Sequence, residues 1–305
     1  MLDEITTAWL QQAAKARGKP LHEMTPAEAR RAREFLLPLF GKGPEMALVE
    51  EVVVPTATGP FASRLLVPQG VVRGVIVWFH GGGWVLGSIE ESDTLGRTMA
   101  ERTDFAVLVV GYRLAPEHRF PTAADDAYAA LGWAHENLER IAGKKGVLVV
   151  GGDSAGGNLA AVVSLRARDR KGPPVALQIL VYPAVEANFD TPSCVAKENQ
   201  LALTREGMKW FWDHYAPNAA DRLSLDAAPL RAALDRLPPA IVVTAEHDVL
   251  RDDGETYAQA LIAAGVPVTF KRFEGQIHTF FTMVKVLPGS VAGLEFVARA
   301  IDASF

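Results

Sequence analysis

The segment Gly152-Asp153-Ser154-Ala155-Gly156 puts a hydroxyl on a short turn between the apolar run Val147-Leu148-Val149-Val150 and a helix-compatible stretch reaching Arg168. A serine on so sharp a strand-to-helix turn needs glycines on either side, because the backbone is strained and neighbouring segments approach closely. The start of the helix aims N–H groups at a developing oxyanion. The chemistry this arrangement suits is nucleophilic attack on a carbonyl. GxSxG alone is a weak signal, since a glycine-rich loop produces it as well. The strand before it and the helix after it are what a nucleophile elbow requires.

A second element, His80-Gly81-Gly82-Gly83-Trp84, follows the strand-like run Val75-Ile76-Val77-Trp78-Phe79. Successive glycines let backbone N–H groups approach a substrate oxygen, so Gly81, Gly82, Gly83 and Ala155 are the expected oxyanion-hole residues. A flexible turn or a phosphate cradle would also use glycines, but neither explains the pairing with an elbow downstream. His80, at the strand end, is read as structural, holding the loop through hydrogen bonds.

A serine hydroxyl needs a base, and the base needs a carboxylate to fix its tautomer. With the chain order serine, acid, histidine, the search falls on residues late in the chain. Strand-like Ile241-Val242-Val243-Thr244-Ala245 runs into Glu246-His247-Asp248, and the stretch after Phe270-Lys271-Arg272-Phe273 carries Gly275-Gln276-Ile277-His278. Ser154, Asp248 and His278 are therefore the expected triad. Glu246 is the rival acid, closer to its strand; Asp252 and Asp253 read as first-turn carboxylates of the next helix. His247, beside the acid, and the remaining histidines read as structural or surface residues.

The elements that must position these groups are legible in outline. Residues 2–16 carry Leu2, Ile5, Trp9 and Leu10 at helical spacing, and Thr25-Pro26-Ala27-Glu28 is a capping box with proline at the first helical position. Residues 1–45 thus read as a helical arm. Segments 48–55 and 61–68 alternate like an antiparallel hairpin about Thr58-Gly59-Pro60. Apolar β-rich runs then recur at 74–79, 105–110, 146–151, 175–181, 240–245 and 266–273, each followed by a helix-compatible stretch. That alternation predicts a mostly parallel sheet covered on both faces, an α/β architecture. The interval 185–225 lacks a strand signal and reads as an inserted cap between two parts, 46–184 and 226–305, of one domain.

The cap is expected to roof the pocket. Its Trp210, Phe211, Trp212 and Tyr215 fall at i, i+1, i+2 and i+5, too broad a set to face one side of a helix. Those rings, with Trp84, Trp9 and Leu10, are the expected substrate-binding residues, and a closed pocket predicts a preference for short acyl chains. The last strand, 266–273, should be a sheet edge. An unpaired edge is covered, charged or paired, so a homodimer through it is a further expectation.

Composition excludes several classes. The 305 residues can bury a core, and 49% hydrophobic with 22% charged residues fits a globular enzyme. A net charge of -5 offers no field for nucleic acid or an anionic membrane. No signal peptide is expected, because the first twelve residues carry Asp3 and Glu4 and lack basic and apolar regions; no apolar run is long enough to span a bilayer. The one cysteine, Cys194, has no zinc-like neighbourhood, no metal site is expected, and a reducing cytoplasm is the expected setting.

Five motifs in order resemble the hormone-sensitive-lipase-like, or bacterial family IV, carboxylesterases. They are the His80 glycine segment, Tyr112-Arg113-Leu114-Ala115-Pro116-Glu117-His118, Gly152-Asp153-Ser154-Ala155-Gly156-Gly157-Asn158, Asp248-Val249-Leu250-Arg251-Asp252 and Gly275-Gln276-Ile277-His278. The resemblance implies an α/β-hydrolase fold and a cofactor-free esterase acting with water on short- to medium-chain esters, its cap built from arm and insertion. Gln276, Thr279, His247 and Ala228 depart from the family's common residues and bear on substrate preference and pH profile. An amidase or lipase of the same fold is the alternative chemistry. A non-catalytic receptor, as in the related gibberellin receptors that lack the histidine, is opposed by His278.

Overall fold

The computed structural model describes residues 2–34 and 37–305, so Met1, Phe35 and Leu36 of the arm lie outside the described residues. Among the described residues eight strands make one sheet: β1 (Leu48–Val54), β2 (Phe61–Val67), β3 (Gly74–Phe79), β4 (Ala106–Val110), β5 (Val147–Asp153), β6 (Leu177–Val181), β7 (Ala240–His247) and β8 (Val268–Ile277), in the order β1-β2-β4-β3-β5-β6-β7-β8. The β1–β2 hairpin is antiparallel and β2 is antiparallel to β4; every later pairing is parallel. This is the α/β-hydrolase architecture.

The helices are α1 (Glu4–Arg17), α2 (Pro26–Glu34), α3 (Leu37–Phe40), α4 (Ile89–Thr103), α5 (Thr122–Ala142), α6 (Ala155–Asp169), α7 (Pro192–Val195), α8 (Arg205–Tyr215), α9 (Arg251–Ala263) and α10 (Pro288–Asp302). Side chains alternate across a strand, so each inner strand feeds two cores. Val75, Val77 and Phe79 of β3 pack with Leu131 of α5, Leu159 of α6 and Leu261 of α9. Ile76 and Trp78 pack on the other face with Met99 of α4 and Val297 of α10. Burial of both faces is why these strands read as unbroken apolar runs.

Topology then places the site. From β3 the chain crosses by α4 on one face to β4; from β5 it crosses by α6 on the other face to β6. The crossovers part at the carboxyl ends of neighbouring β3 and β5, and such a switch point opens a crevice. The His80 loop and Ser154 stand at its two sides.

The insertion between β6 and β7 carries α7 and α8 and, among its described residues, no strand. The arm lies against it and against the body: the Trp210 indole N–H donates to Met24 O at 3.0 Å, while the Arg30 guanidinium donates to Val85 O, Ala115 O and Glu117. Thr25 and Glu28 close the expected capping box, with Thr25 N donating to Glu28 Oε2 at 2.8 Å.

One strand runs further than its sequence suggests. β8 continues through Glu274-Gly275-Gln276 to Ile277, which pairs with His247 across a bulge after Ala245. Gly275 adopts φ 72° there and its N–H is tied to Glu246 Oε2 at 2.6 Å.

Candidate active site

Ser154 sits between β5 and α6 at φ 56°, ψ −118°. Its N–H donates to Val181 O at 2.8 Å, and its carbonyl accepts from Asn158 N at 3.0 Å and Ala184 N at 3.3 Å. These bonds hold a conformation that costs on the order of 1–3 kcal/mol in a residue with a Cβ. Two positions on, a Cβ at Gly156 would overlap the carbonyl of Phe79, the last residue of β3. The elbow therefore needs glycine there because β3 passes at backbone contact.

The structure brings the three expected triad residues together. His278 Nε2 lies 3.0 Å from Ser154 Oγ, and its Nδ1 lies 2.7 Å from Asp248 Oδ2. Asp248 is fully buried, and its Oδ1 accepts from Leu250 N at 2.9 Å. An ionised carboxylate only accepts, so the proton on the ring is assigned to Nδ1 and Nε2 is left to accept from the serine hydroxyl. Glu246 is not the partner of His278: it binds Gly275 N, and that backbone bond holds its carboxyl below the usual range. His247 Nε2 lies 3.5 Å from Glu246 Oε2.

His80 takes its expected structural place. It is buried, its ring stacks on Tyr112 at 4.3 Å, its Nδ1 lies 2.7 Å from Gly81 O, and burial lowers its pKa. Tyr112 in turn donates from its hydroxyl to His80 O at 2.8 Å. The following turn is closed by Val85 N and Leu86 N, both donating to Gly82 O. Gly82 and Gly83 have φ 113° and 59°, and among the described residues their N–H groups donate to no acceptor. Ala155, first in α6, has no partner one turn back for its N–H. Those amides stand at the mouth of the crevice beside Ser154. Asp153, at the cavity wall, is buried, which pushes its carboxyl up to about 6.

A cavity of about 960 Å³ opens over Ser154 and His278. Trp84, Phe211 and, from the arm, Trp9 line it; a Cβ at Gly83 would overlap the Phe211 ring, so α8 packs directly on the glycine loop. Trp210, Trp212 and Tyr215, expected at the pocket, do not line it, and neither does Leu10. Trp84 turns inward at φ 59° and stacks on Tyr215 at 4.3 Å with Trp212 tilted against it, so those two rings form the core beneath the cap. Trp210 faces the arm through Met24. In their place the wall takes Leu21, Met24, Leu203, Met208 and Met283. Met208 lies three residues before Phe211, on the same helical face, a spacing that marks it in the sequence; the others carry no local signal.

A family model described as alpha/beta hydrolase fold matches residues 76–282, and the chain belongs to that family, as its five motifs anticipated. Among similar proteins, the carboxylesterase NlhH of Mycobacterium tuberculosis is 38% identical over 85% of each chain. The ethyl acetate hydrolase of Pseudomonas putida is 34% identical over 97% of this chain and 96% of its own. A hyperthermophilic esterase from the archaeon Pyrobaculum calidifontis superposes with a TM-score of 0.92 at 38% identity, covering 99% of this chain and 98% of the other.

Proposed function

We propose that the protein is a serine carboxylesterase hydrolysing short- to medium-chain esters through an acyl-enzyme, with Ser154 as nucleophile, His278 as base and Asp248 as the acid that orients it. The observation that carries this is the unbroken hydrogen-bonded series from Ser154 Oγ through His278 to buried Asp248 at the switch point. Ser154 attacks the ester carbonyl as its proton passes to His278 Nε2. The amides of Gly82, Gly83 and Ala155, with Gly81 shaping the loop, receive the oxyanion. His278 then protonates the departing alcohol, and a water activated by the same imidazole releases the acid.

Support for ester rather than other acyl substrates comes from the relatives, named a carboxylesterase, an ethyl acetate hydrolase and an esterase, which match 85%, 97% and 99% of this chain. Support for short chains is that Met208 and Phe211 line the cavity over Ser154. The arm, 1–45, and the insertion, 185–225, act as the cap. In Ser154→Ala, turnover of p-nitrophenyl esters should fall by about 10⁶, the scale of losing a triad serine, and a phosphonate probe should label Ser154 alone. Labelling elsewhere, or a few per cent of activity left, overturns the reading.

The edge strand β8 supports a homodimer. Arg272 is bound to Glu255 on one face and Lys271 lies over Phe273 on the other, which leaves Phe270 exposed. Light scattering giving one chain's mass at working concentration removes this. Among the described residues no helix is long and apolar enough to cross a membrane. Cys194, buried and with its thiol pushed up to about 11 by that burial, suits the reducing cytoplasm; cell fractionation tests that location.

A further inference from the structure

The segment from Val181 to Ala184 touches both ends of the proton transfer. Val181 O receives the Ser154 N–H and Ala184 N–H donates to Ser154 O, so this stretch grips the nucleophile's backbone from two sides. Between them Tyr182 leaves β6 at φ 35°, a conformation strained for a residue with an aromatic side chain. Its own N–H is fixed to Val243 O at 2.6 Å. The turn swings its ring, fully buried, to 4.5 Å from the His278 imidazole with the planes at 51°, while Phe280 backs it edge-on at 6.0 Å. Asp248 meets His278 at Nδ1 and Ser154 at Nε2. Tyr182 is the aromatic contact of the imidazole itself.

We propose that Tyr182 is a positioning residue for His278, whose π-system favours the imidazolium created when the Ser154 proton reaches Nε2. Before transfer the imidazole is neutral and the ring acts only as a wall. After transfer the imidazole is a cation, in a buried position, within the distance at which aromatic faces attract cations. The contact is therefore stronger in the transition state than in the resting enzyme, and such an interaction raises kcat and leaves KM alone. The strained backbone is the local cost of holding the ring there.

This rests on the esterase reading, so the test begins with unaltered enzyme shown to turn over p-nitrophenyl butyrate and titrated with a phosphonate. Absence of turnover or labelling at that stage defeats the parent reading rather than this one. Tyr182→Phe retains the ring and should keep kcat within about twofold; Tyr182→Leu keeps bulk without π electrons and should lower kcat about tenfold at unchanged KM, the order expected of a desolvated cation–aromatic contact. Because leucine could disturb folding, the deciding series places phenylalanines of increasing ring fluorination at position 182. Fluorine drains the ring face without changing its shape, so log kcat should fall steadily with fluorination at constant melting temperature. A flat or rising series in active, folded enzyme overturns the proposal.

Discussion

Ser154 holds φ 56° with a side chain that gains nothing from that conformation except its place before His278. Glycine adopts positive φ without penalty. Ser154→Gly should therefore be inactive yet more stable than the unaltered enzyme by about 1 kcal/mol, part of the strain that such a residue stores; a lower urea midpoint in the glycine variant would contradict this. The acid is tested by a pair. Asp248→Asn leaves shape but loses the acceptor that fixes the tautomer, and kcat should fall by up to about 10⁴. Glu246→Gln disturbs the tie to Gly275 and the contact with His247, neither of which reaches His278, and should keep most of the activity. A reversal of that order, measured as kcat in folded protein, would exchange their roles.

Among the elements, α8 divides its work. Phe211 and Met208 face the cavity, while Trp212 and Tyr215 face Trp84 and the core. Phe211→Ala should shift the best acyl length upward, each further methylene adding about 0.8 kcal/mol of binding while room lasts, with little effect on the acetate ester. Trp212→Ala should leave that profile alone and destabilise the fold by about 3–5 kcal/mol as a core deletion. An acyl-length series on both variants, set beside their melting curves, tells the two apart. The sequence shows the four rings and their dense spacing, but not which way they face, because that depends on Trp84 turning inward at a positive φ set by the glycine loop. Ser154 and Asp248 were legible as candidates because each follows an apolar run that marks a strand, and His278 because the order serine, acid, histidine points to the stretch after the last such run. The extension of β8 was not: Glu274-Gly275-Gln276 reads as loop, and only pairing with β7 across the bulge makes it strand.

At the scale of the molecule, two carboxylates buried near the site link stability to pH. Burial pushes Asp253 of α9 from 3.8 up to about 8, although its Oδ2 accepts from Val185 N at 3.1 Å, and Asp153 up to about 6. The folded protein keeps these protons where the unfolded chain has already released them. Their contribution is complete below about pH 4 and declines as pH rises, Asp153's being lost through about 6 and Asp253's through about 8. Asp253→Asn can still accept the Val185 bond and cannot ionise. It should therefore weaken the fall in stability between pH 5 and 8.5, read as a smaller difference in urea midpoints at those two values; an undiminished difference would place the proton elsewhere.

The cavity wall has a consequence for descent. Trp9, Leu21 and Met24 come from the arm and Leu203, Met208 and Phe211 from the insertion, whereas Ser154, His278 and the glycine loop come from strand ends locked into the sheet. Most of the cavity wall and all of the Ser154–His278–Asp248 series are thus written in separate stretches of chain, with Trp84 and Met283 as the exceptions. Substitutions can accumulate in the first without disturbing the second, so a lineage carrying this fold can change its diet of esters while inheriting the same chemistry intact.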